Sequence, residues 1–142
     1  TWNSMKDNAG FSSTKPWLPV KSTQIERSVN LQEKETNSVL QFYRDFISFR
    51  KDERSLIDGD INFHEMGNSI LFFSRESDER DERIGCLFNL CSREFNINCD
   101  GLEIINEKIN QNLQTNGEEL IIGKFGFGFF KIKENFTKLY IQ

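Results

Sequence analysis

The chain has 142 residues, enough for one compact domain with a hydrophobic core. Its residues are 37% hydrophobic and 28% charged, which lies in the globular range and excludes a disordered chain. The formal net charge of −4 argues against the clustered basic surface of a nucleic-acid-binding protein. We therefore expect no nucleic acid as a partner. No run approaches the roughly 18 apolar residues of a transmembrane helix, so we expect no membrane as a partner either.

The first twenty residues read as a stiff loop that presents aromatic side chains. Residues 8–20 (NAGFSSTKPWLPV) contain both prolines of the chain and one of its two tryptophans. Pro16 and Pro19 restrict their own backbone and favour an extended conformation for the residues before them. Trp17 is held between them, either packed as part of the loop or exposed as a recognition surface.

One long helix is predicted after this loop. Apolar residues recur at spacings of three and four from Val39 to Phe49, which is typical of an amphipathic helix. Asn37 or Ser38 can cap its N-terminus, and the basic residues 50–51 complement the dipole at its last turn. A stripe this wide needs a partner surface.

From residue 61 onward the apolar period changes to two, which predicts strands. Residues 61–64 and 70–73 read as a hairpin with Ile61 and Phe63 on its apolar face. Residues 84–91 are nearly continuously apolar, as expected of a central strand covered on both faces. Residues 95–99 and 125–129 alternate again. The sequence therefore predicts a mainly β chain with one long helix, whose strands form an antiparallel sandwich.

Three polar segments separate these elements. We expect residues 21–37 to form an extended surface connection and residues 75–83 (RESDERDER) to form a solvated hairpin tip. Residues 106–117 read as a loop. His64, the only histidine, is predicted to lie at a surface or sheet edge.

The three cysteines, Cys86, Cys91 and Cys99, are odd in number and lie in apolar or strand-like surroundings. They contain no CxxC pair and no second half-site for zinc. Buried free thiols in a cytoplasmic protein are the favoured interpretation. We expect no metal and no cofactor.

Several motifs together resemble a known family. Trp2-Asn3, residues 8–12 (NAGFS) and residues 15–20 (KPWLPV) look like a segment of α-glucosidases of the α-amylase superfamily, the oligo-1,6-glucosidase and maltase type. In that family the segment follows the last strand of a (β/α)8 barrel. Residues 38–51 are similar to the last barrel helix, and residues 56–60 to the entry into a C-terminal β domain.

The resemblance implies a domain division and a missing partner. Residues 1–54 would be the last loop and final helix of the catalytic barrel, and residues 55–142 would be the C-terminal antiparallel β domain. The chain begins at Thr1 inside a family motif, so we expect it to be a C-terminal part of an enzyme whose N-terminal barrel lies upstream. That enzyme would be a retaining α-glucosidase acting on α-glucosides.

The same resemblance places four residues at the rim of the substrate pocket. Active sites of such barrels lie at the face formed by the βα loops, and residues 1–35 would be the eighth loop. Trp2, Asn3, Phe11 and Trp17 are therefore the candidate rim residues. Packing against the barrel is the alternative for each of them.

No catalytic residue is predicted within the chain. The family's catalytic carboxylates would lie upstream of Thr1, and a lone histidine argues against a Ser/His/Asp triad. Acid pairs are present, but they lie in turns and charged tips where water makes their environments alike: Asp58 and Asp60, Asp78 and Glu79, Glu118 and Glu119. Two other hypotheses stay open, a non-catalytic carbohydrate-binding or scaffolding β domain and a relative of the heavy subunit of amino-acid transporters.

Overall fold

The computed structural model describes residues 1–67, 69–78, 81–116 and 119–141. The chain divides into two compact units, Thr1–Ile47 and Ser48–Gln142. The predicted architecture, mainly antiparallel β with one long helix, is confirmed.

The first unit consists of turns, short helices and the beginning of the long helix (residues 39–47). A 3-10 turn spans Asp7–Gly10, and single helical turns form α1 (Ser22–Ile25) and α2 (Val29–Gln32). The prediction of an extended connection over residues 21–37 is therefore wrong. The side chain of Gln24 accepts a hydrogen bond from the Lys21 N–H at 2.8 Å, which closes the first of these helical turns.

The long helix α3 spans Val39–Asp52, as the apolar spacing predicted. Ser38 is its N-cap, because its Oγ accepts a hydrogen bond from the Gln41 N–H at 3.2 Å. Phe49 is its one buried residue. The last helix, α4, is a single turn at Ser55–Asp58.

The strands of the described residues form one antiparallel sheet. They are β1 (Asp60–His64), β2 (Ile70–Ser77), β3 (Glu82–Asn89), β4 (Phe95–Asn98), β5 (Leu102–Ile104), β6 (Gln111–Asn116), β7 (Glu119–Ile132) and β8 (Tyr140–Ile141). The path β1–β2–β3–β7–β4–β8 runs through the sheet, and β5 and β6 also pair with β7. β6 occupies half of the segment 106–117 that the sequence predicted as a loop, so that prediction is wrong for residues 111–116.

The long strand β7 organises the second unit. Its first half pairs with β4 and β6, and its second half pairs with β3 and β5. The core draws on both halves, with Leu120 and Ile122 from the first and Phe130 and Ile132 from the second. A Cβ atom at Gly128 would lie 2.7 Å from the end of the Leu113 side chain, which would have to shift.

β3 is the predicted central strand. It pairs with β2 on one side and β7 on the other, and residues 84–87 are all buried. The predicted charged tip is shorter than expected, because β2 extends to Ser77 and β3 begins at Glu82. Arg75, Glu76 and Arg83 thus belong to strands, whereas Glu79 and Arg80 lie outside the described residues.

The first hairpin has the predicted pairing but the opposite facing. Phe63 pairs with Phe73, and His64 pairs with Phe72 of the core. Phe63 is 68% exposed, whereas His64 is half-buried. β1 is an edge strand, so the predicted edge position of His64 is confirmed.

Candidate functional site

The candidate rim residues all lie in a loop whose backbone is fixed by its own hydrogen bonds. The Ala9 carbonyl accepts from the N–H groups of Trp2 at 2.9 Å and Asn3 at 3.0 Å. Asn8 and Ala9 both have left-handed φ values, 50° and 52°, which L residues adopt only when the surroundings stabilise them. The Asn8 side chain supplies part of that support by donating to the carbonyls of Ser12 and Thr14 at 3.2 Å each.

The loop is also tied to the segment that follows it in the first unit. The N–H groups of Val29 and Asn30 donate to the carbonyls of Thr1 and Trp2 at 3.1 Å each. The Asn30 side chain accepts from the Ser4 N–H at 2.9 Å. The aromatic side chains of this loop are therefore carried by a backbone that is held at several points.

Trp17 lies between two open cavities of the first unit. One, of about 340 Å³, is lined mainly by residues 16–20 together with Phe11. The other, of about 580 Å³, is lined on its far side by Lys6, Asn8 and Ile25. The Trp17 side chain is 94% exposed.

The structure brings two of the four predicted residues together. Phe11 and Trp17 line the same cavity, and Phe11 and Trp2 are both exposed, at 64% and 62%. Asn3 uses its Oδ1 to accept a hydrogen bond from the Met5 N–H at 2.9 Å, so its side chain helps to shape the turn. Trp2 and Asn3 do not line the cavity that Phe11 and Trp17 share.

Among the described residues, no carboxylate lines either cavity beside Trp17. An aromatic surface next to polar groups can stack on a sugar ring, whereas glycoside hydrolysis needs two carboxyl groups with different pKa values. The described lining of these two cavities therefore offers an aromatic surface and no pair of carboxyl groups.

Carboxyl groups with shifted pKa values occur in the second unit, at positions that no local sequence pattern marks. Burial raises the pKa of Glu53, and a hydrogen bond to Glu82 adds to that shift. Burial alone would raise the pKa of Glu82 too, but hydrogen bonds from Ser55 outweigh it, and the pKa is lowered. Glu82 Oε2 accepts hydrogen bonds from the N–H, at 2.8 Å, and the Oγ of the fully buried Ser55. The contacts between Ser55 and Glu82 attach α4 to β3.

A second polar cluster joins β1 and β2. His64 Nε2 lies 3.1 Å from Ser74 Oγ, which donates to Glu76 Oε1 at 2.7 Å. That hydrogen bond is the largest cause of a lowered Glu76 pKa. A nucleophilic serine would give its proton to histidine, but Ser74 gives it to the carboxylate and is fully buried. The cluster is structural, and only the i, i+2 spacing of Ser74 and Glu76 on one strand face hinted at it.

The described members of the three acid pairs lie at the surface. Asp58 forms an ion pair with Arg54 at 2.6 Å, and Asp60, Asp78 and Glu119 are exposed. Glu79 and Glu118 lie outside the described residues. The described residues contain no group of three or more His, Cys, Asp or Glu that could hold a metal ion, and no helix among them is long and apolar enough to cross a membrane.

Comparisons with known proteins place this loop in context. Residues 1–59 match the family model "Alpha amylase, catalytic domain". A probable alpha-glucosidase of Rhizobium meliloti (strain 1021) is 44% identical over 89 residues, which are 63% of this chain and 16% of that protein. The predicted resemblance to the α-amylase superfamily is confirmed.

Solved structures of the superfamily extend the likeness to the second unit. The alpha-glucosyl transfer enzyme XgtA matches 93% of this chain with a TM-score of 0.80 and 25% identity. The trehalulose synthase MutB of Pseudomonas mesoacidophila MX-45 matches the same share with a TM-score of 0.75 and 25% identity. The chain spans 24% of the length of each of these proteins.

Proposed function

We propose that this chain is the C-terminal part of a retaining α-glucosidase, which releases terminal glucose from short α-linked oligosaccharides. The observation that carries the proposal is the 44% identity to a probable alpha-glucosidase over 89 residues, a stretch longer than the 59 residues of the catalytic-domain match. The activity would belong to the whole protein, since the chain spans only 16% of that relative.

Within that enzyme, residues 1–54 would complete the catalytic barrel and residues 55–142 would form its C-terminal β domain. The chain itself would be non-catalytic. The described residues that line the cavities beside Trp17 include no carboxylate, which supports this assignment. So do Glu53 and Glu82, whose shifted pKa values arise from burial and from contacts that hold α4.

The loop of the first unit would border the substrate pocket. Trp2, Asn3, Phe11 and Trp17 would contribute to the rim, with the missing barrel as the partner that completes it. The three aromatic side chains are exposed in this chain, which supports a role in contacts with a substrate or with a part of the enzyme outside the chain. A barrel places its βα loops around the active site, which is where such side chains would meet an α-glucoside.

The enzyme would work in the cytoplasm. All three cysteines are free, and Cys86 and Cys99 are buried. Burial raises the pKa of Cys86 to about 12, so its thiol is unreactive at neutral pH. Free thiols of this kind fit a reducing compartment.

The proposal is tested by assaying glucose release from maltose and isomaltose with two samples. The full-length protein encoded by the parent gene should release glucose, whereas the purified 142-residue chain should release none. Turnover by the isolated chain that survives repurification would contradict its non-catalytic role. Rearranged disaccharides formed without free glucose would instead contradict the hydrolase assignment.

A further inference from the structure

An open, polar cavity of about 340 Å³ lies on the sheet of the second unit. Ile121, one of its lining residues, follows Leu120 and precedes Ile122, which both belong to the core, so Ile121 points to the opposite face of β7. Gly123 leaves space beside it, because it has no side chain. The other described lining residues are five exposed polar side chains that provide hydroxyl, carboxylate, amide and ammonium groups: Ser92, Glu94, Asn112, Gln114 and Lys124.

The strand β7 bulges beside this cavity. The register between β6 and β7 shifts between Gln111 and Leu113, and residues 123–126 of β7 are the extra residues at that shift. A Cβ atom at Gly126 would lie 2.7 Å from the carbonyl oxygen of Asn112, so the bulge has no room for a side chain at that position. Bulges redirect side chains and are over-represented next to functional sites.

Phe125 occupies this bulge in a strained conformation. Its φ of 52° lies in the left-handed region, where a bulky L residue is rarely found. The Phe125 side chain is 63% exposed, so burial of its ring does not offset the strain. The Phe125 N–H donates to the Cys91 carbonyl at 3.0 Å, and Asn112 Nδ2 donates to the Lys124 carbonyl at 3.1 Å. Strain of this kind clusters at functional sites, where the surrounding contacts maintain it.

A buried asparagine joins the bulge to the loop between β3 and β4. Asn89 is only 3% exposed, and its Nδ2 donates to the carbonyls of Arg93 at 2.6 Å and Gly123 at 2.8 Å. Its Oδ1 accepts from the Cys91 N–H at 3.0 Å. One buried side chain therefore fixes the backbone on both sides of the cavity, and Phe125 is hydrogen-bonded between those two sides. Such a preorganised site loses little conformational freedom when it binds a ligand.

The groups around the cavity fit a neutral ligand that is rich in hydroxyl groups. Glu94 and Lys124 leave the described lining without net charge, so it selects neither an anion nor a cation. The hydroxyl and amide groups both donate and accept hydrogen bonds, as sugar hydroxyls do. The exposed ring of Phe125, next to Lys124 in the chain, offers an aromatic surface on which the apolar face of a sugar can pack.

We propose that this cavity and Phe125 form a surface site that binds a neutral oligosaccharide. The site binds without cleaving, because Glu94 is the one carboxylate in its described lining and glycoside hydrolysis needs two. It belongs to the second unit, whereas the candidate rim residues belong to the first. The proposal goes beyond the proposed function and does not depend on it.

The test uses isoleucine methyl groups as local reporters of sugar binding. Ile121 lines this cavity, and Ile25 lines one of the two cavities beside Trp17. The δ1 methyl groups of isoleucine are labelled with ¹³C in the 142-residue chain, and maltotriose is added to concentrations on the order of 10 mM. The Ile121 methyl resonance should shift and saturate, which gives the Kd of this site apart from any binding near Ile25.

Substitutions then separate a binding role of Phe125 from a structural one. Phe125→Gly should raise the Kd for maltotriose about fivefold, because it removes the stacking ring. It should leave the urea midpoint of unfolding unchanged or higher, because glycine adopts the left-handed conformation without strain. Phe63→Ala is the matched control, since it removes another exposed phenylalanine, on β1, and should leave the Kd unchanged. Gln114→Ala, at an exposed position of the lining, should also weaken binding and provides a second variant if Phe125→Gly fails to fold.

The outcomes that would overturn the proposal are distinct. One is the absence of a saturable shift at Ile121, including the case in which only Ile25 responds. Another is an unchanged Kd in both Phe125→Gly and Gln114→Ala. A lower urea midpoint in Phe125→Gly together with an unchanged Kd would show that Phe125 stabilises the fold and binds no sugar. None of these results bears on the proposed function, which is tested by glucose release from the full-length protein.

Discussion

The two units of this chain differ in how much of their apolar surface they bury themselves. Residues 1–47 contain one buried hydrophobic residue, Ala9, whereas the other buried hydrophobic residues of the described chain lie between Phe49 and Leu139. The first unit keeps its shape with backbone and side-chain hydrogen bonds, and leaves Trp2, Phe11 and Trp17 exposed. The second has a core that joins both halves of β7.

The part of the chain that contains most of the family-like motifs is therefore not the part that stabilises the fold. Most of the motifs that resemble the superfamily lie in residues 1–47, which contain a single buried hydrophobic residue. The second unit buries the side chains that supply the free energy of folding. A family-like segment with so little core of its own agrees with the proposal that residues 1–54 belong to a larger barrel.

The largest expected effect is therefore on folding itself. Expressed separately, residues 48–142 should show a cooperative thermal unfolding transition by circular dichroism, whereas residues 1–47 should show none, because hydrogen bonds without apolar burial do not offset the loss of chain entropy. A cooperative transition in the shorter piece would show that its stability does not depend on a buried apolar core.

Core truncation should show the same contrast at single residues. Phe72 is 1% exposed, and Phe72→Ala should lower the free energy of unfolding of the 142-residue chain by about 3–5 kcal/mol. Phe11→Ala, the matched change in the first unit, should alter it by no more than about 0.5 kcal/mol. Urea titration of both variants measures this, and a large loss in Phe11→Ala would reveal packing that its exposure does not show.

The elements that could be predicted were those specified by local pattern. The helix from Val39 and the central strand around residues 84–87 follow from apolar spacing alone. The strand β6 could not be found that way, because most of its side chains are exposed and its pairing with β7 determines it. α1 and α2 could not be found from apolar spacing either, because capping and turn hydrogen bonds stabilise them instead of an apolar face.

The facing of β1 shows a second limit. Alternation of apolar and polar residues predicted Ile61 and Phe63 on the core side, but His64 occupies that side, where its ring lies beside Ser74 and Phe72. The sequence identified the candidate rim loop through family motifs, yet the cavity that Phe11 and Trp17 share is also lined by Gln24, which is distant in sequence. The hydrogen bond between Glu53, which lies between α3 and α4, and Glu82 of β3 joins residues far apart in the sequence and has no sequence signature.

The smallest predicted effect concerns His64 and pH. Burial lowers the pKa of His64 below its ordinary value of 6.5, the Arg83 charge adds to the lowering, and the Glu76 carboxylate opposes it. Because the folded-state pKa is the lower one, His64 contributes stability that is present above pH 6.5 and is lost as the pH falls from 6.5 through the folded-state pKa. The neutral ring donates from Nε2 to Ser74, since the Ser74 hydroxyl donates to Glu76.

His64→Gln keeps an N–H donor for Ser74 and removes the titration. The free energy of unfolding should therefore fall less in the variant than in the parent chain between about pH 7.5 and about pH 5.5. Glu53, whose raised pKa acts with the opposite sign, is present in both proteins, so its contribution cancels in the difference. Urea titrations at four pH values measure that difference. Identical pH dependence in the two proteins would mean that His64 ionises equally easily when folded and unfolded, and that the half-buried ring keeps enough contact with water to offset its desolvation.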